Sequence, residues 1–501
     1  MRWYRAVAVD LDGTLTTGGW PVASVFEAIR ATRAHGVRLL LVTGRILSEL
    51  DVEFPGLAAH FDVVVAENGC VLRQNGLARP LADPLAPQLL DRLHAAGVAA
   101  RRGLVLLATD ASADHLALDA IESLGLDVHL VRNRGALMLM PPGVTKGTGL
   151  REALAELGIS PHNTLAVGDA ENDQALLGAA ELGVAVHNAV PSLRDFADLV
   201  LTGSDGAGVA ALLSGPVLDG RQRVHSRRWQ ILLGRDAGDR AATVPASQTN
   251  LLITGESESG KSYLAGLVIE QLHALGYGVL VVDPEGDHVA LAALRGVTVL
   301  SGGLPFDPAQ LPALLSHPGD CVVIDLSHQD SEARDAYLDR LWPALAAFQS
   351  ETGLPHWVVV EEAQNLTCCR SGTRGLSAIS PWNLCLVSYL PEQLAAELVD
   401  RNEWQVGLAG GGRTAILTPP EGEPFAFKVG ARALRHVRHW HKYVDSELPE
   451  HLRFVFRAED PDECVVASNM RELMAALHLV PASTISFHAH RGDFSRWIAD
   501  A

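Results

Sequence analysis

The feature that most constrains the fold is a repeated pattern of short apolar segments, each followed at once by a polar loop. The segments at residues 6–9, 37–42 and 164–167 run into Asp10, into Thr43 and into a Gly-Asp pair. Apolar segments of this length that alternate with helical stretches predict parallel β-strands in βαβ units. The sequence therefore predicts an α/β fold with a doubly wound sheet, in which the polar loops gather at the carboxyl ends of the strands.

Changes of composition divide the 501 residues into three predicted domains. The first spans residues 1–214, and an α/β segment at about 80–141 interrupts its strand pattern as an inserted cap. A stretch rich in Gly, Arg and Ser marks the boundary, and a second α/β pattern completes a domain at 215–430. The remaining segment, 431–501, begins with many Arg, His and aromatic residues and ends in a predicted small helical tail.

The overall composition indicates a globular protein and limits its partners. Hydrophobic residues make up 48% and charged residues 20% of the chain, an ordinary globular balance. A formal net charge of −19 argues against broad, non-specific binding of nucleic acid. The six cysteines form no spaced metal or disulfide framework, which is typical of a reducing compartment. Because no signal-like or membrane-spanning segment is evident in the sequence either, we expect a cytoplasmic protein.

Two aspartates one residue apart, Asp10 and Asp12, follow the first predicted strand. Side chains two residues apart on a strand point the same way, and two like charges on one face need a cation or shared proton chemistry between them. One aspartate can attack phosphorus, while the other protonates the leaving oxygen and later takes a proton from water. The hydroxyl of Thr43, at another predicted strand end, can bond to a phosphate oxygen.

Further charged residues at predicted strand ends complete a set suited to phosphoryl transfer. The sequence GDAEND supplies Asp169 and Asp173, carboxylates of the kind that hold Mg²⁺, and GVTKG supplies the fixed charge of Lys146. Each motif alone also fits a plain structural role, such as a turn, a solvated lysine or a capped helix start. Their order along the chain, each at a predicted strand end, favours the functional interpretation.

The motifs DLDGTLT, LVTGR, VTKG and GDAEND resemble the four signature motifs of the haloacid dehalogenase superfamily of phosphatases, over about residues 5–213. With its inserted cap, the segment is similar to the Cof-type and to the phosphoglycolate or sucrose-phosphate phosphatases. The resemblance implies that Asp10 is the nucleophile and Asp12 the acid/base, and that Thr43 and Lys146 bind the phosphate. It further implies that Mg²⁺ is held by Asp10, the backbone carbonyl of Asp12, Asp169 and Asp173. Arg45 and Asn172 would make supporting polar contacts.

A second phosphate motif lies in the predicted domain at 215–430. The sequence GESESGKS, from Gly255 to Ser262, matches the pattern G-x-x-x-x-G-K-[ST] between a predicted strand and a predicted helix. Glycines such as Gly255 and Gly260 let backbone N–H groups curl around phosphates, while Lys261 reaches the phosphates and Ser262 can ligate Mg²⁺. The motif predicts a nucleotide-binding loop with ATP as its ligand.

The apolar strand in HWVVVEEAQN ends in two acids that extend this prediction. Glu361 would help to hold the metal and Glu362 would orient an attacking water, although an ordinary strand with a solvated acidic end has the same pattern. Together with the Gly-rich loop, these motifs resemble the HerA/FtsK-like P-loop ATPases over about residues 225–430. Tyr389 stands where such ATPases carry a polar sensor, so the resemblance implies nucleotide binding more firmly than hydrolysis.

Two features near the end of the chain leave alternatives open. Arg413, in AGGGRTA, is interpreted as a loop arginine, with an arginine finger that acts across a subunit interface as the alternative. The stretch 432–443 is interpreted as a solvated or partly packed helix face. This stretch has two alternative interpretations. It could form a patch that faces phosphate or nucleic acid, or a metal site built from His436, His439 and His441.

The favoured hypothesis is a Mg²⁺-dependent phosphatase that acts through an aspartyl-phosphate on a small phosphorylated metabolite, such as a sugar phosphate or phosphoglycolate. An ATP-binding or ATPase module would be fused to it and would regulate it or couple to it. The alternatives are an ATP-driven, HerA-like nucleic-acid motor with an accessory phosphatase and an end-healing enzyme of the polynucleotide kinase–phosphatase kind. The acidic chain and Tyr389 argue against the motor, and the inserted cap argues against the end-healing enzyme. A homo-oligomer remains open.

Overall fold

The computed structural model describes residues 2–133, 135–256, 258–301, 306–367, 375–408, 413–434, 453–457 and 465–500. Within these residues, the strands form three large sheets and one two-stranded sheet. None of the helices described is both long enough and apolar enough to cross a membrane.

The first 213 residues contain two of the sheets. The strands described there are β1 Ala6–Val9, β2 Arg38–Val42, β3 Val63–Ala66, β4 Val71–Gln74, β5 Leu77–Pro80, β6 Arg101–Arg102, β7 Leu107–Asp110, β8 His129–Asn133, β9 Ala136–Met140, β10 Thr164–Gly168, β11 Leu182–Ala185 and β12 Leu199–Val200. The helices are α1 Ala23–Ala34, α2 Leu47–Glu53, α3 Pro87–Ala95, α4 Asp114–Leu124, α5 Lys146–Leu157, α6 Gln174–Gly178, α7 Pro191–Phe196 and α8 Asp205–Leu213.

The larger of these sheets has the strand order β12-β11-β10-β1-β2-β3-β4-β5. Neighbouring strands from β12 to β3 run parallel, whereas β4 runs antiparallel to both of its neighbours. β1 lies in the centre, with Ala6 in register with Thr164 of β10 and with Arg38 of β2. Because the central strands are buried on both faces, their sequences are continuous apolar runs. The predicted α/β fold is confirmed for this part of the chain.

Strands β6 to β9 form a separate antiparallel sheet, in the order β6-β7-β9-β8, between β5 and α5. Residues of β9 alternate between two layers. Leu137 and Leu139 pack in a small core with α3 and α4, whereas Met138 and Met140 belong to the core of the larger sheet. We call this inserted unit the cap, since one of its faces rests on the first sheet.

A third sheet occupies the middle of the chain. Its described strands are β13 Gln230–Arg235, β14 Ala241–Pro245, β15 Leu251–Gly255, β16 Val279–Asp283, β17 Val297–Leu300, β18 Cys321–Asp325, β19 Trp357–Val360, β20 Leu384–Ser388, β21 Trp404–Leu408, β22 Thr414–Thr418 and β23 Phe425–Val429. The helices are α9 Lys261–Ala274, α10 Leu311–Leu314, α11 Ser331–Thr352, α12 Ala363–Thr367 and α13 Ala396–Arg401.

The order in this sheet is β14-β13-β23-β22-β21-β15-β20-β19-β16-β18-β17. The strands from β21 to β17 run parallel, and the four beyond β21 are antiparallel. Apolar layers cover both faces, one that includes Leu264 of α9 and one that includes Trp342 of α11. The region is therefore α/β with a large sheet, as the sequence predicts, and β15 leads directly into the Gly-rich loop.

The last described residues form a small separate core. It contains the two-stranded sheet of β24 Phe454–Val455 and β25 Val466–Ala467, followed by α14 Met470–Leu477, α15 Ala482–Arg491 and α16 Asp493–Asp500. Phe454 stacks on Phe494, with ring centres 5.1 Å apart. The histidines considered above for a metal site lie outside the described residues: His436, His439 and His441.

Gly149 lies where α5 crosses the first sheet at close range. A Cβ atom there would stand 2.7 Å from Cα of Gly69 and 2.7 Å from Cγ1 of Val65. Since the backbone at Gly69 cannot swing away, Gly149→Ala should lower the free energy of unfolding by about 1–3 kcal/mol. Urea unfolding followed by tryptophan fluorescence measures this loss.

Gly18→Ala is the control for that measurement. No atom lies within 4 Å of a Cβ at Gly18, so this variant should change the free energy of unfolding by less than about 0.5 kcal/mol. Equal unfolding midpoints for the two variants would contradict the close packing of α5.

Candidate functional site

The carboxyl ends of β1, β2 and β10 hold the first group of candidate residues. Asp10 follows β1 and donates its N–H to the Val167 carbonyl at 3.0 Å, and Thr43 follows β2 and donates its N–H to the Val65 carbonyl at 2.8 Å. Asp169 follows β10 directly. Asp10, Thr43 and Asp169 are all buried. The hydrogen bonds between strands thus continue past two of the strand ends and fix where these side chains point.

Lys146 reaches the same point from the start of α5. Thr145 caps this helix through reciprocal hydrogen bonds with Thr148. From the first turn, Lys146 Nζ donates to Asp10 Oδ1 at 2.7 Å and to Asp173 Oδ1 at 2.5 Å. Burial lowers the pKa of the Lys146 ammonium, but the two ion pairs outweigh this effect and raise the pKa above its ordinary value. The site therefore contains a permanent positive charge.

Asp10, Asp169 and Asp173 form a compact, buried acidic cluster, in which each offers an oxygen within 4.8 Å of the others. Asp173 Oδ2 also accepts from the N–H groups of Asp169, at 2.9 Å, and of Ala170, at 3.1 Å. Burial and then the Asp173 carboxylate raise the pKa of the Asp10 carboxyl well above its ordinary range, while Lys146 opposes them. Three carboxylates facing one ammonium are a donor set that fits a hard divalent cation.

Asp12 lies on a turn beyond the end of β1. The strand ends one residue before Asp10, and Gly13 has a φ of 87°. The prediction that Asp10 and Asp12 point the same way on one strand therefore does not apply, because the turn sets the direction of the Asp12 carboxylate. That side chain is 39% exposed and accepts two hydrogen bonds from the Arg45 guanidinium, each 2.7 Å long. The two aspartates thus stand in different surroundings, Asp10 buried and Asp12 at the open side.

Arg45 and Asn172 join the site through different contacts. The N–H of Arg45 donates to Thr43 Oγ1 at 3.2 Å. Asn172 donates from Nδ2 to Asn68 Oδ1 at 3.1 Å, and Asn68 Nδ2 lies 3.3 Å from the sulfur of Met140 in the cap. Asn172 therefore marks the edge of the site at which the cap meets the first sheet.

Glu67 ties the cap to the first sheet, and sequence analysis missed it. Its buried carboxylate accepts from the N–H groups of Leu104 at 2.9 Å, Val105 at 2.9 Å and Leu106 at 3.2 Å. Met138, on β9, lies against the loop that follows β2. The sequence shows an Asn-Gly turn after Glu67, which predicts a turn but not a contact with residues almost forty positions away.

The Gly-rich motif forms the loop between β15 and α9. Gly260, with a φ of 98°, precedes Lys261 at the start of the helix. Lys261 Nζ donates to the Glu256 carbonyl at 2.9 Å and lies 5.8 Å from the centre of the Tyr389 ring. Among the described residues, the buried hydroxyl of Ser259 has no hydrogen-bond partner. The lysine thus folds back over its own loop.

Gly255 and Ser262 frame this loop. A Cβ at Gly255 would come within 2.5 Å of Ser259 Oγ and 2.9 Å of the Leu408 carbonyl, so the loop closes as tightly as its glycine permits. Ser262 is half-buried in the first turn of α9, and Ser257 lies outside the described residues.

Glu361 follows β19 and is buried against His288, which sequence analysis missed. Glu361 Oε1 lies 2.7 Å from His288 Nε2, and Glu361 Oε2 has no hydrogen-bond partner within the described part of the chain. Burial raises the pKa of the Glu361 carboxyl well above its ordinary range; nearby carboxylates add to this, and the Lys261 ammonium opposes it. Asp283 Oδ2 accepts the backbone N–H of His288 at 2.8 Å, which fixes the backbone at His288.

Glu362 belongs to a chain of polar contacts between two strand ends. Its Oε2 accepts from Gln364 Nε2 at 2.5 Å, and Gln364 Oε1 accepts from the Ser388 hydroxyl at 2.7 Å. Ser388 is the last residue of β20, immediately before Tyr389. The sequence places Tyr389 at this strand end, with Gln393 nearby as a doubtful substitute for the polar sensor; in the structure the last residue of the strand is Ser388, whose hydroxyl donates to Gln364.

Arg413 packs against α9, as does Arg432 at the start of the stretch 432–443. The Arg413 guanidinium carbon lies 4.8 Å from the centre of the Tyr263 ring. Arg432 Nε donates to Glu270 Oε1 at 2.8 Å, and both of these side chains are almost fully buried. Each of these contacts is made to a helix of the same chain.

Comparison with known proteins identifies relatives of the first part of the chain. A family model described as haloacid dehalogenase-like hydrolase matches residues 7–113 and 104–213. A phosphoglycolate phosphatase of Methanothermobacter thermautotrophicus is 34% identical over 216 residues, 41% of this chain and 96% of the relative. A phosphoglycolate phosphatase of Halorubrum lacusprofundi is 33% identical over 225 residues, 42% of this chain and 95% of the relative.

A crystal structure of a haloacid dehalogenase-like hydrolase from Bacteroides thetaiotaomicron covers 42% of this chain and 98% of its own, at 19% identity and a TM-score of 0.37. The family model extends from β1 to the end of α8, and the two phosphoglycolate phosphatases are matched over almost their whole lengths. Through residues 7–213, this chain belongs to the haloacid dehalogenase-like hydrolase family.

Proposed function

We propose that the first 213 residues form a Mg²⁺-dependent phosphatase, which hydrolyses a small phosphorylated metabolite through an aspartyl-phosphate. The observation that carries the proposal is the buried Lys146 ammonium between Asp10 and Asp173, 2.7 and 2.5 Å from their oxygens. A buried carboxylate and a fixed positive charge thus lie together at the edge of the sheet where Thr43 also lies, and this arrangement supports Asp10 as the nucleophile. Phosphoryl transfer needs these groups at one point, because the transferred group is strongly negative.

The proposed reaction has two steps. In the first, an Asp10 oxygen attacks phosphorus, the bond to the leaving oxygen breaks, and Asp12 gives that oxygen a proton. In the second, water attacks phosphorus, its proton passes to Asp12, and the bond between phosphorus and the Asp10 oxygen breaks to release phosphate. Arg45 holds both oxygens of Asp12 and so fixes its orientation. Thr43 and Lys146 bind the phosphate oxygens.

The groups that would hold Mg²⁺ are Asp10, Asp169, Asp173 and the backbone carbonyl of Asp12. When bound, Mg²⁺ neutralises charge on the phosphoryl oxygens. The close approach of the three carboxylates, within 4.8 Å, supports this assignment. Asp173 is held in place by two backbone N–H groups, so its other oxygen is oriented before any ligand arrives.

The cap supports a small substrate. Met138 and Met140 bring its lower face onto the first sheet, and Glu67 holds one of its loops by three hydrogen bonds. A cap so fixed leaves less room for the end of a nucleic acid strand than for a small molecule. The relatives named phosphoglycolate phosphatases favour a small phosphorylated acid such as phosphoglycolate, with sugar phosphates as the other class.

Asp10→Asn should abolish the phosphatase activity. The amide is a poor nucleophile, so we expect the rate with phosphoglycolate and with p-nitrophenyl phosphate, in the presence of Mg²⁺, to fall by about a thousandfold or more. Release of inorganic phosphate measures the loss. Asp127→Asn is the matched control, because Asp127 is exposed in the cap, and it should keep the wild-type rate. An Asp10→Asn protein with more than a tenth of the wild-type rate would exclude Asp10 as the nucleophile.

Removal of divalent cations should also stop the reaction. After treatment with EDTA we expect no phosphate release, and added Mg²⁺ should restore the rate. Asp173→Asn removes one carboxylate of the cluster, so the Mg²⁺ concentration for half-maximal rate should rise by about tenfold or more. An unchanged Mg²⁺ requirement in this variant would place the metal elsewhere.

We also propose that the loop from Gly255 to Ser262 binds a nucleoside triphosphate, with ATP as the first candidate. Three observations support it: Lys261 at the N-terminus of α9, the unpartnered Ser259 hydroxyl inside the loop, and the unpartnered Glu361 oxygen, all among the described residues. Backbone N–H groups and the helix dipole at such a turn attract phosphate. Glu361 and Ser262 would hold Mg²⁺, and Glu362, hydrogen-bonded to Gln364, would orient a water.

Lys261→Ala should weaken nucleotide binding. Loss of a charged hydrogen-bond donor costs roughly 1.5–3 kcal/mol, so the Kd for ATP with Mg²⁺, measured by calorimetry, should rise by about tenfold to a hundredfold. Lys428→Ala is the control, since Lys428 is exposed on β23. If both variants bind ATP as the wild type does, the loop is not the nucleotide site.

A further inference from the structure

A buried polar cluster joins the first sheet to the third. Its centre is the Glu181 carboxylate, whose side chain is only 1% exposed. Glu181 Oε2 lies 2.8 Å from His162 Nδ1 and accepts from the Tyr277 hydroxyl at 2.7 Å, and Oε1 accepts from the Ser247 hydroxyl at 2.5 Å. His162 Nε2 lies 3.0 Å from the Leu275 carbonyl. One buried charge thus has partners from both halves of the chain.

On one side, the cluster touches the element that carries the acidic site. Asp173 immediately precedes α6, and Glu181 lies three residues after the end of this short helix. The N–H of Glu181 donates to the carbonyls of Pro161, at 2.9 Å, and Thr164, at 3.0 Å. Thr164 begins β10, which ends just before Asp169. A displacement of Glu181 therefore acts on both segments that position the acidic cluster.

On the other side, the cluster touches the far end of the helix that begins at the Gly-rich loop. Lys261 opens α9, a helix of 14 residues, and Tyr277 follows three residues after its last residue. A helix of that length spans about 21 Å. The Tyr277 N–H donates to the Leu272 carbonyl at 3.0 Å, which fixes Tyr277 to the helix end. One end of α9 thus lies at the Gly-rich loop, and the other end is tied to Tyr277, a partner of Glu181.

A second connection runs parallel to the first. Arg228 Nη1 donates to the Leu177 carbonyl in α6 at 2.6 Å, and Trp229 Nε1 donates to the Ala180 carbonyl at 3.3 Å. The next residue begins β13, where Leu232 exchanges two hydrogen bonds with the side chain of Gln271 in α9, at 2.7 and 2.5 Å. This second connection also meets the cluster, because the Trp229 ring lies edge-on to His162 with ring centres 4.9 Å apart and Arg228 Nη2 donates to the Glu181 carbonyl at 3.3 Å.

We propose that this cluster couples the two sites, so that a ligand at the Gly-rich loop changes the rate of phosphate transfer at Asp10 through α9, Glu181 and α6. The inference rests on the two activities proposed above. Packed interfaces change between discrete arrangements rather than deforming gradually, and contiguous hydrogen-bonded elements carry such coupling. A buried carboxylate with donors from both sides is costly to leave unpaired, so a shift of α9 must be followed by the residues around Glu181.

The test compares phosphatase rates with and without a bound nucleotide. The substrate is p-nitrophenyl phosphate with Mg²⁺, and the nucleotide is adenylyl-imidodiphosphate, a non-hydrolysable ATP analogue, at a concentration shown by calorimetry to saturate the protein. In the wild type the analogue should raise or lower the rate of p-nitrophenyl phosphate hydrolysis by about fivefold or more. In Tyr277→Phe the ratio of the two rates should return to within about twofold of unity, while the basal rate and the Kd of the analogue stay near their wild-type values.

Two further variants separate this route from general effects on the interface. Tyr4→Phe removes another buried hydroxyl at the same interface. This hydroxyl accepts a hydrogen bond from Gln248 Nε2 at 3.2 Å and makes none to Glu181 among the described residues. The Tyr4→Phe protein should therefore keep the wild-type ratio of the rates with and without the analogue. Ser247→Ala removes the donor to Glu181 Oε1 and should reduce the ratio as Tyr277→Phe does. Ser247→Ala therefore tests the coupling even if Tyr277→Phe is poorly folded.

Failure of the coupling can be told from failure of the proposed activities. An analogue that binds the wild type but leaves its rate unchanged overturns the coupling alone, as does a full wild-type ratio in Tyr277→Phe. If calorimetry detects no binding, the nucleotide proposal falls and the coupling falls with it. If p-nitrophenyl phosphate and phosphoglycolate are not hydrolysed, the phosphatase proposal falls instead.

Discussion

The contact on which the first site depends is the pair of hydrogen bonds from the Lys146 ammonium to Asp10 and Asp173. Three buried carboxylates within 4.8 Å repel one another, and each is costly to remove from water. The ammonium offsets this cost only because it is held 2.7 and 2.5 Å from their oxygens. The capped start of α5, the end of β1 and the loop after β10 all have to meet at that nitrogen. The order of strands in the first sheet is what makes the meeting possible.

The two halves collect the groups proposed to bind phosphate at the same place in a parallel sheet, with different chemistry. In the first half the groups are carboxylates, and a buried lysine balances them. In the third sheet they are a backbone loop and Lys261, while the acidic Glu361 lies deeper, against His288. The carboxyl edge of a parallel sheet suits both arrangements, since strand ends and helix N-termini converge there. Both lysines are buried, but Lys146 donates to two carboxylates, whereas Lys261 donates to the Glu256 carbonyl of its own loop.

The residues at strand ends could be predicted from the sequence because their position follows from local pattern. Asp10, Thr43 and Asp169 lie where short apolar runs stop, and Lys146 lies where a helix begins. Contacts between distant segments could not be predicted in this way. Glu67 binds backbone N–H groups of the cap, and His288 meets Glu361 across 73 residues. Neither contact follows from a repeating pattern in the sequence, because a solvent-exposed Glu or His at these positions would have the same neighbours along the chain. The direction of the Asp12 side chain could not be predicted either, because the strand ends at Val9 and a turn carries Asp12.

The segment that joins the halves has a consequence for how such a chain can be divided. Its composition is that of a tether, yet Arg228 and Trp229 are tied to backbone carbonyls near α6, and Glu181 draws its donors from both sides of the junction. Cutting the chain at this point would leave a buried carboxylate without two of its partners. The first part of this chain covers 96% and 95% of the two phosphoglycolate phosphatases, so a protein of this family can exist without a second half. In this chain, however, the two halves share a buried polar interface, and neither could be exchanged for a foreign module without rebuilding the surface around Glu181.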